Sequence, residues 1–239
     1  MKSLIAAISF LTRLPVGRLV KVDAGDVARA AGWFPFVGLL LGAIYAGAAW
    51  LLRGHWPDVV VAVLLVALDA LLTGALHFDG LADTADGFGG GKDREDVLRI
   101  MRDHAIGSYG GTALVLLVAL KVAAYSLLAR DGRLVALLLT PAFGRWSILL
   151  LTAALPYARE TASVVKGMGI GALLAGTVTV AAALAAALQY LPGMLATIVV
   201  SFVFGLYCRR RIGGITGDTL GANVQLCECA ALLAFLWTR

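Results

Sequence analysis

The chain has 239 residues, of which 60% are hydrophobic and 15% charged, where a soluble domain carries about a quarter charged residues. With mean hydropathy +0.89 and no long polar segment, this composition excludes an ordinary soluble protein and gives a single membrane-embedded domain over residues 1–239. The formal net charge of +5 sits in loops between apolar runs, a pattern of membrane orientation and contact with lipid, not of nucleic-acid binding.

The first segment, MKSLIAAISFLTRLPVGR, resembles a signal peptide only superficially. Its apolar core is short, Arg13 follows at once, and no A-x-A site appears. The pattern predicts that residues 1–29 are a cytoplasmic, interfacial segment with Arg13 and Arg18 at the headgroups. A spanning helix needs about 20 mostly apolar residues. Ala30–Leu52, Asp58–Leu76, Ala105–Ala129, Leu134–Leu155, Gly169–Leu191, Pro192–Tyr207 and Ala222–Trp237 are the candidates. The last two are short. The predicted fold is therefore an all-α, polytopic helical bundle of about seven transmembrane helices, with six as the alternative. Glycines such as Gly38, Gly42 and Gly47 lie within the spans, where small residues allow close helix packing. Cys208, Cys227 and Cys229 form neither a CxxC pair nor an even set, so they read as buried small residues.

Lysine and arginine predict the orientation. With the N-terminus inside, the inside segments hold fourteen, and the outside segments hold four: Arg53, Arg130, Arg133 and Arg239. That asymmetry places the chain in the cell (inner) membrane with Phe78–His104 and Pro156–Gly167 facing the cytoplasm. Lys121, Arg145, Asp69 and Glu228 fall within spans. Intramembrane charges pair internally or line a site. If one straight helix carried both Asp69 and Asp79, Asp69 would lie about 15 Å deeper.

The densest acidic stretch, HFDGLADTADGFGGG, occupies His77–Gly91. Asp79, Asp83 and Asp86 are spaced i, i+4, i+7, which places them within about 60° on one face of a helix. Three such carboxylates repel, and each is costly near hydrocarbon. A divalent cation resolves both problems, since Mg²⁺ and Mn²⁺ prefer carboxylate oxygen and Mg²⁺ takes one or two carboxylates with substrate phosphate and water; a solvated aspartate-rich loop is the alternative. Gly87, Gly89, Gly90 and Gly91 end the helix. A short amphipathic helix follows, with Arg94, Arg99, Arg102 and Asp103 on its polar side, where arginine can grip phosphate in bidentate fashion. His77 falls nearly opposite Asp79 and Asp86 on the wheel, which suits an orienting group or a base. GGITGDTLGA, carrying Asp218, is either a tight turn or a phosphate-binding loop.

FLTRLPVG, WFPFVGLLLG, HFDGLADTADG, IMRDHAIGSYGG, PYARE and GGITGDTLGA, with Glu228 beyond it, occur in this order across nearly the whole chain. In this it resembles the cobalamin 5′-phosphate synthases, also called adenosylcobinamide-GDP ribazoletransferases. The resemblance implies an integral membrane transferase that joins adenosylcobinamide-GDP to α-ribazole or α-ribazole 5′-phosphate. The products are adenosylcobalamin or its 5′-phosphate, and GMP, with Mg²⁺ as cofactor. It implies Asp79, Asp83 and Asp86 as catalytic and metal-binding residues, with Asp83 or Asp86 as the base. Candidate substrate-binding residues are Arg13, His77, Arg102, Asp103, Asp218 and Glu228, with at least one of Asp218 and Glu228 expected to face the pocket of Asp79 and Asp83. The oligomeric state stays open, a homo-oligomer included. The CDP-alcohol phosphatidyltransferases are distant relatives of that family. Their signature D-x-x-D-G-x-x-A-R is not reproduced here, which counts against a phospholipid synthase. The cluster lies at the membrane edge and not at mid-membrane, which counts against a transporter.

Overall fold

A computed structural model describes residues 2–19, 22–103, 105–159 and 167–238. Lys21, His104, Glu160, Lys166 and Arg239 lie outside the described residues, and so does the side chain of Arg18. The helices are α1 (Lys2–Leu11), α2 (Ala24–Ala30), α3 (Phe34–Leu52), α4 (Asp58–Thr73), α5 (Leu76–Gly90), α6 (Arg94–Ile100), α7 (Ser108–Arg130), α8 (Leu134–Ala154), α9 (Ile170–Ala185), α10 (Leu191–Ile212) and α11 (Gly217–Trp237). No strand occurs among the described residues.

Five segments are long and apolar enough to cross a membrane: Ala24–Leu52, Ser108–Arg130, Leu134–Ala154, Leu188–Ile212 and Gly217–Trp237. The pair α4 and α5 makes a sixth if counted as one broken span, bent by 92°. The span expected over Gly169–Leu191 forms a helix of only 16 residues, about 24 Å long, shorter than the roughly 30 Å hydrocarbon core. It is followed by a short 3-10 turn at Leu188–Tyr190 and then α10. The span expected over Asp58–Leu76 likewise stops at Thr73, because Gly74 and Ala75 adopt positive φ (63° and 57°) and turn the chain. Asp69 and Asp79 therefore do not share one axis.

The core forms around α8 and α11. On α11 nearly every residue from Thr219 to Glu228 is buried, because α5, α7, α8 and α10 all pack against it. In α3, Gly38 and Gly42 let the backbone of α8 approach: a Cβ on Gly38 would lie 2.5 Å from the Ala142 Cα, and one on Gly42 would overlap Leu138. The bundle has two distinct ends. At one, Arg133 donates to the carbonyls of Phe235 and Thr238, and Arg53 lies beside Gly132. At the other, the segment after α8 pairs with the segment before α11: Ala158 N donates to Ile215 O (2.8 Å) and Ile215 N to Pro156 O (2.9 Å).

Two glycines of α3 make opposite predictions. Gly42→Ala pushes a Cβ into the α8 backbone and is expected to cost about 2 kcal/mol or more. Gly47 has open space where its Cβ would stand, so Gly47→Ala should be neutral or gain about 0.5–1 kcal/mol. Thermal unfolding in detergent compares them, and equal effects would contradict the α3–α8 contact.

Candidate active site

The acidic stretch forms a complete helix, α5, set by the corner before it. Gly74 takes a left-handed conformation that glycine accepts without penalty, and Ala75 follows it there. Arg13 braces this corner. Its N–H donates to Leu72 O (2.7 Å), and its side chain lies over Gly74 so closely that a Cβ would overlap it. The structure thus places Arg13 at the corner, and it is not among the residues that line the cavity beside Asp79.

The three aspartates share α5 but not surroundings. Asp79 is exposed, while Asp83 and Asp86 are half-buried. Both carboxylate oxygens of Asp86 accept backbone N–H bonds from α7, from Gly107 (2.7 Å) and Gly110 (2.8 Å). The α7 N-terminus has no capping side chain of its own, so Asp86 satisfies its orphan donors and its dipole from α5. Asp103 accepts from Ala105 N (3.1 Å) and lines a shallow depression with Asp86. Arg102 is exposed at the end of α6, away from the cavity of Asp79. Arg94 and Arg99, its expected partners in gripping phosphate, are engaged elsewhere: Arg99 pairs with Asp96, and Arg94 donates to the carbonyls of Ile212 (2.9 Å) and Ala158 (2.7 Å).

α5 meets the start of α11 through glycine. A Cβ on Gly80 would lie 2.7 Å from the Asp218 carbonyl oxygen and 3.1 Å from the Gly221 Cα. Thr216 caps α11, accepting from Thr219 N (3.2 Å). The close approach brings His77, Asp79, Gly217 and Asp218 to the wall of one cavity, completed on its apolar side by Phe10, Phe34, Ile148 and Met168. Asp218 is ion-paired to Arg159 at 2.8 Å. GGITGD is therefore both a tight connection and a cavity wall. Among the described residues no group of three or more His, Cys, Asp or Glu side chains gathers as a metal cage. Mg²⁺ needs no such cage, since one or two carboxylates, phosphate oxygens and water suffice. An exposed Asp79 beside further aspartate oxygen on the same helix fits that donor chemistry.

Glu228 is elsewhere. Lys121 Nζ lies 2.6 Å from its Oε2 and 3.0 Å from Asp69 Oδ2. Arg145 Nη1 donates to Glu228 Oε1, and Tyr45 donates to Asp69 Oδ1 at 2.8 Å. All four charged side chains are at most 1% exposed. Of the two carboxylates considered for the pocket of Asp79, Asp218 lines it, whereas two cations on α7 and α8 hold Glu228 inside the bundle. His77 is also buried, at 3% exposure, and its Nδ1 finds no partner among the described residues.

A family model for cobalamin-5-phosphate synthase matches residues 3–236. The chain belongs to that family. It is thereby a transferase of cobalamin biosynthesis carrying several membrane helices. Among its relatives are proteins named adenosylcobinamide-GDP ribazoletransferase from Syntrophobacter fumaroxidans (40% identical, 95% of each chain), Rhizobium johnstonii (40%, covering 95% of this chain and 94% of that one) and Klebsiella pneumoniae strain 342 (44%, covering 98% and 99%). No solved structure matches.

Apart from WFPFVGLLLG, which packs α3 against α8, the segments that carry the family resemblance meet at one end of the bundle. FLTRLPVG braces the corner before α5, HFDGLADTADG is α5, IMRDHAIGSYGG leads into α7, and PYAR lies against GGITGD. Sequence reasoning missed Arg159, the cation beside Asp218, although it sits inside the quoted PYARE. It placed Lys121 within a span but assigned it neither a partner nor a role. Lys121→Met leaves Asp69 and Glu228 with Arg145 alone, and removing one partner of a buried ion pair costs about 3–5 kcal/mol. The expected outcome is a large drop in unfolding temperature in detergent. A wild-type melting curve would show that the cluster contributes little.

Proposed function

We propose that this chain is an adenosylcobinamide-GDP ribazoletransferase of the cell (inner) membrane. It joins adenosylcobinamide-GDP to α-ribazole or its 5′-phosphate and releases GMP, with the acidic end of the bundle in the cytoplasm. The observation that carries the reading is the shared cavity of Asp79 and Asp218 at the meeting point of the family's segments. The fourteen-to-four distribution of basic residues supports the orientation.

A ribazole ribose hydroxyl attacks the cobinamide-side phosphorus of the diphosphate. The new oxygen–phosphorus bond forms as the bond to the GMP oxygen breaks. Such transfers depend on alignment and charge neutralisation more than on covalent help. Asp79 and Asp83 would hold Mg²⁺ together with substrate phosphate oxygens. Bound there, Mg²⁺ neutralises diphosphate charge and stabilises the departing GMP. Asp86, whose two oxygens already accept from α7, anchors α5 and keeps the acidic face oriented. An aspartate oxygen of that face not spent on the metal takes the hydroxyl proton. Arg159 holds Asp218 at the cavity wall (2.8 Å), and the first N–H groups of α11 add donors suited to phosphate. Arg102, exposed at the end of α6, attracts the anionic donor toward this end.

Two measurements test the reading. GMP release by purified protein should require both adenosylcobinamide-GDP and α-ribazole, and chelation of divalent cations should abolish it. Asp79→Asn and Asp83→Asn should each lower turnover by at least about 100-fold, with α-helical content unchanged. Wild-type turnover in both variants would remove the acidic face from the mechanism, and CMP release from a CDP-activated donor would replace the transferase assignment. For orientation, Lys92→Cys and Thr238→Cys are treated in intact cells with a membrane-impermeant thiol reagent. Only the cysteine at position 238 should react, and the reverse pattern would invert the topology.

A further inference from the structure

The cavity beside Asp79 and Asp218 has one feature the transfer reaction leaves unexplained. Away from the carboxylates its wall is apolar and aromatic. Phe10 and Phe34 stack there with ring centroids 5.8 Å apart and planes inclined by 19°, and Ile148 and Met168 face the same space. A site for phosphate and magnesium alone has no use for such a wall. We propose that this apolar part of the cavity is the seat of the acceptor's base, the planar bicyclic ring of α-ribazole. The ring lies against the Phe10–Phe34 stack, with its ribose directed toward Asp79 and Asp218. This rests on the ribazoletransferase reading above.

Chemistry selects this occupant among the groups the two substrates offer. The corrinoid is far larger than a cavity of about 170 Å³ and carries amide groups around its rim. Guanine presents donors and acceptors on nearly every edge, and burying them against phenylalanine, isoleucine and methionine strands each one at a cost of about 1–3 kcal/mol. A methylated benzimidazole has apolar edges, two flat faces and a single free ring nitrogen. It can be buried there with little polar loss, and its faces suit offset stacking on phenylalanine. A base seated in this way sets its ribose at the polar end of the cavity, beside the carboxylate of Asp79. The same wall then acts as a filter on the base: apolar bicyclic rings enter, and rings rich in polar edges are disfavoured.

The test is steady-state kinetics of purified protein in detergent, varying each substrate at saturation with the other. Phe10 is 39% exposed, so Phe10→Ala alters the wall without emptying the core. Ile148→Trp fills the cavity. The expected outcome is a KM for α-ribazole raised about fivefold in Phe10→Ala and more than tenfold in Ile148→Trp, with the KM for adenosylcobinamide-GDP within twofold of wild type. Phe10→Ala should also narrow the preference for methylated over unmethylated benzimidazole ribosides. If Ile148→Trp does not fold, Phe10→Ala alone decides, through both readouts. A rise confined to the KM of adenosylcobinamide-GDP would place the donor's guanine in the cavity and overturn the inference. So would unchanged KM values in an active variant. Absence of GMP release from wild-type protein would remove the transferase reading itself, and the inference with it.

Discussion

The contact on which the site depends is the crossing of α5 and α11 at Gly80 and Gly221. With a side chain at Gly80 the two backbones could not come this close, and one at Gly221 would press on the Gly80 Cα at 3.3 Å. A Cβ on Gly80 would stand 2.7 Å from the Asp218 carbonyl oxygen, so the helices would have to separate. Their approach does more than pack a bundle. It turns a membrane-edge helix bearing three aspartates toward a helix start bearing a fourth, and closes a cavity between them. In a membrane the hydrophobic effect gives little drive for helices to associate, so shape and polar contacts decide which faces meet. Here shape comes from glycine, and the polar contacts come from arginines that grip backbone.

Those arginines follow one pattern. Arg94 forks to the carbonyls of Ile212 and Ala158, and Arg211 donates to the carbonyls of Phe88 and Gly91, each at 2.9 Å. Both bridge segments more than 60 residues apart in sequence. The planar guanidinium suits this because its donors point along fixed directions. The result ties the end of α10, the end of α5 and the segment after α8 to one another at this end of the bundle. Deeper in the bundle, Asp69, Glu228, Lys121 and Arg145 cancel one another in pairs. A buried ion cluster of this kind is weak evidence for added stability compared with an apolar core, but it is intolerant of losing one member. It fixes the relative rotation of α4, α7, α8 and α11, since any turn of one helix would strand a charge.

Much of this was legible in the chain. Composition and run length located the apolar helices, and the i, i+4, i+7 spacing placed Asp79, Asp83 and Asp86 on one helix, as α5 bears out. What periodicity could not show was the corner. Positive φ at Ala75 is a conformation no alanine advertises, so the span reads on to Leu76 where α4 stops at Thr73. Nor could spacing say which buried charges pair. Glu228 and Asp218 sit ten residues apart on one helix, yet Asp218 meets Arg159 at the rim and Glu228 meets Lys121 inside. Partners 59 and 107 residues away leave no local trace. Asp86 shows the converse. It reads as equivalent to its neighbours in sequence, and only the fold reveals that α7 borrows it as a cap.

The division among the acidic residues follows from depth. A carboxylate far inside the bundle cannot remain charged without a cation, so Asp69 and Glu228 are committed to Lys121 and Arg145 and have nothing left to offer a ligand. A carboxylate at the rim can exchange protein partners for water, and Asp79 is exposed there. Between these limits lie Asp86, bound by backbone N–H groups, and Asp218, bound by one arginine. Commitment therefore falls from the interior to the rim. The groups with spare bonding capacity are those that face the cavity, and the groups that hold its walls are those that cannot. A single chain can thus keep six carboxylates near a membrane: the fold itself neutralises the deep ones, and the shallow ones are left to neutralise something else.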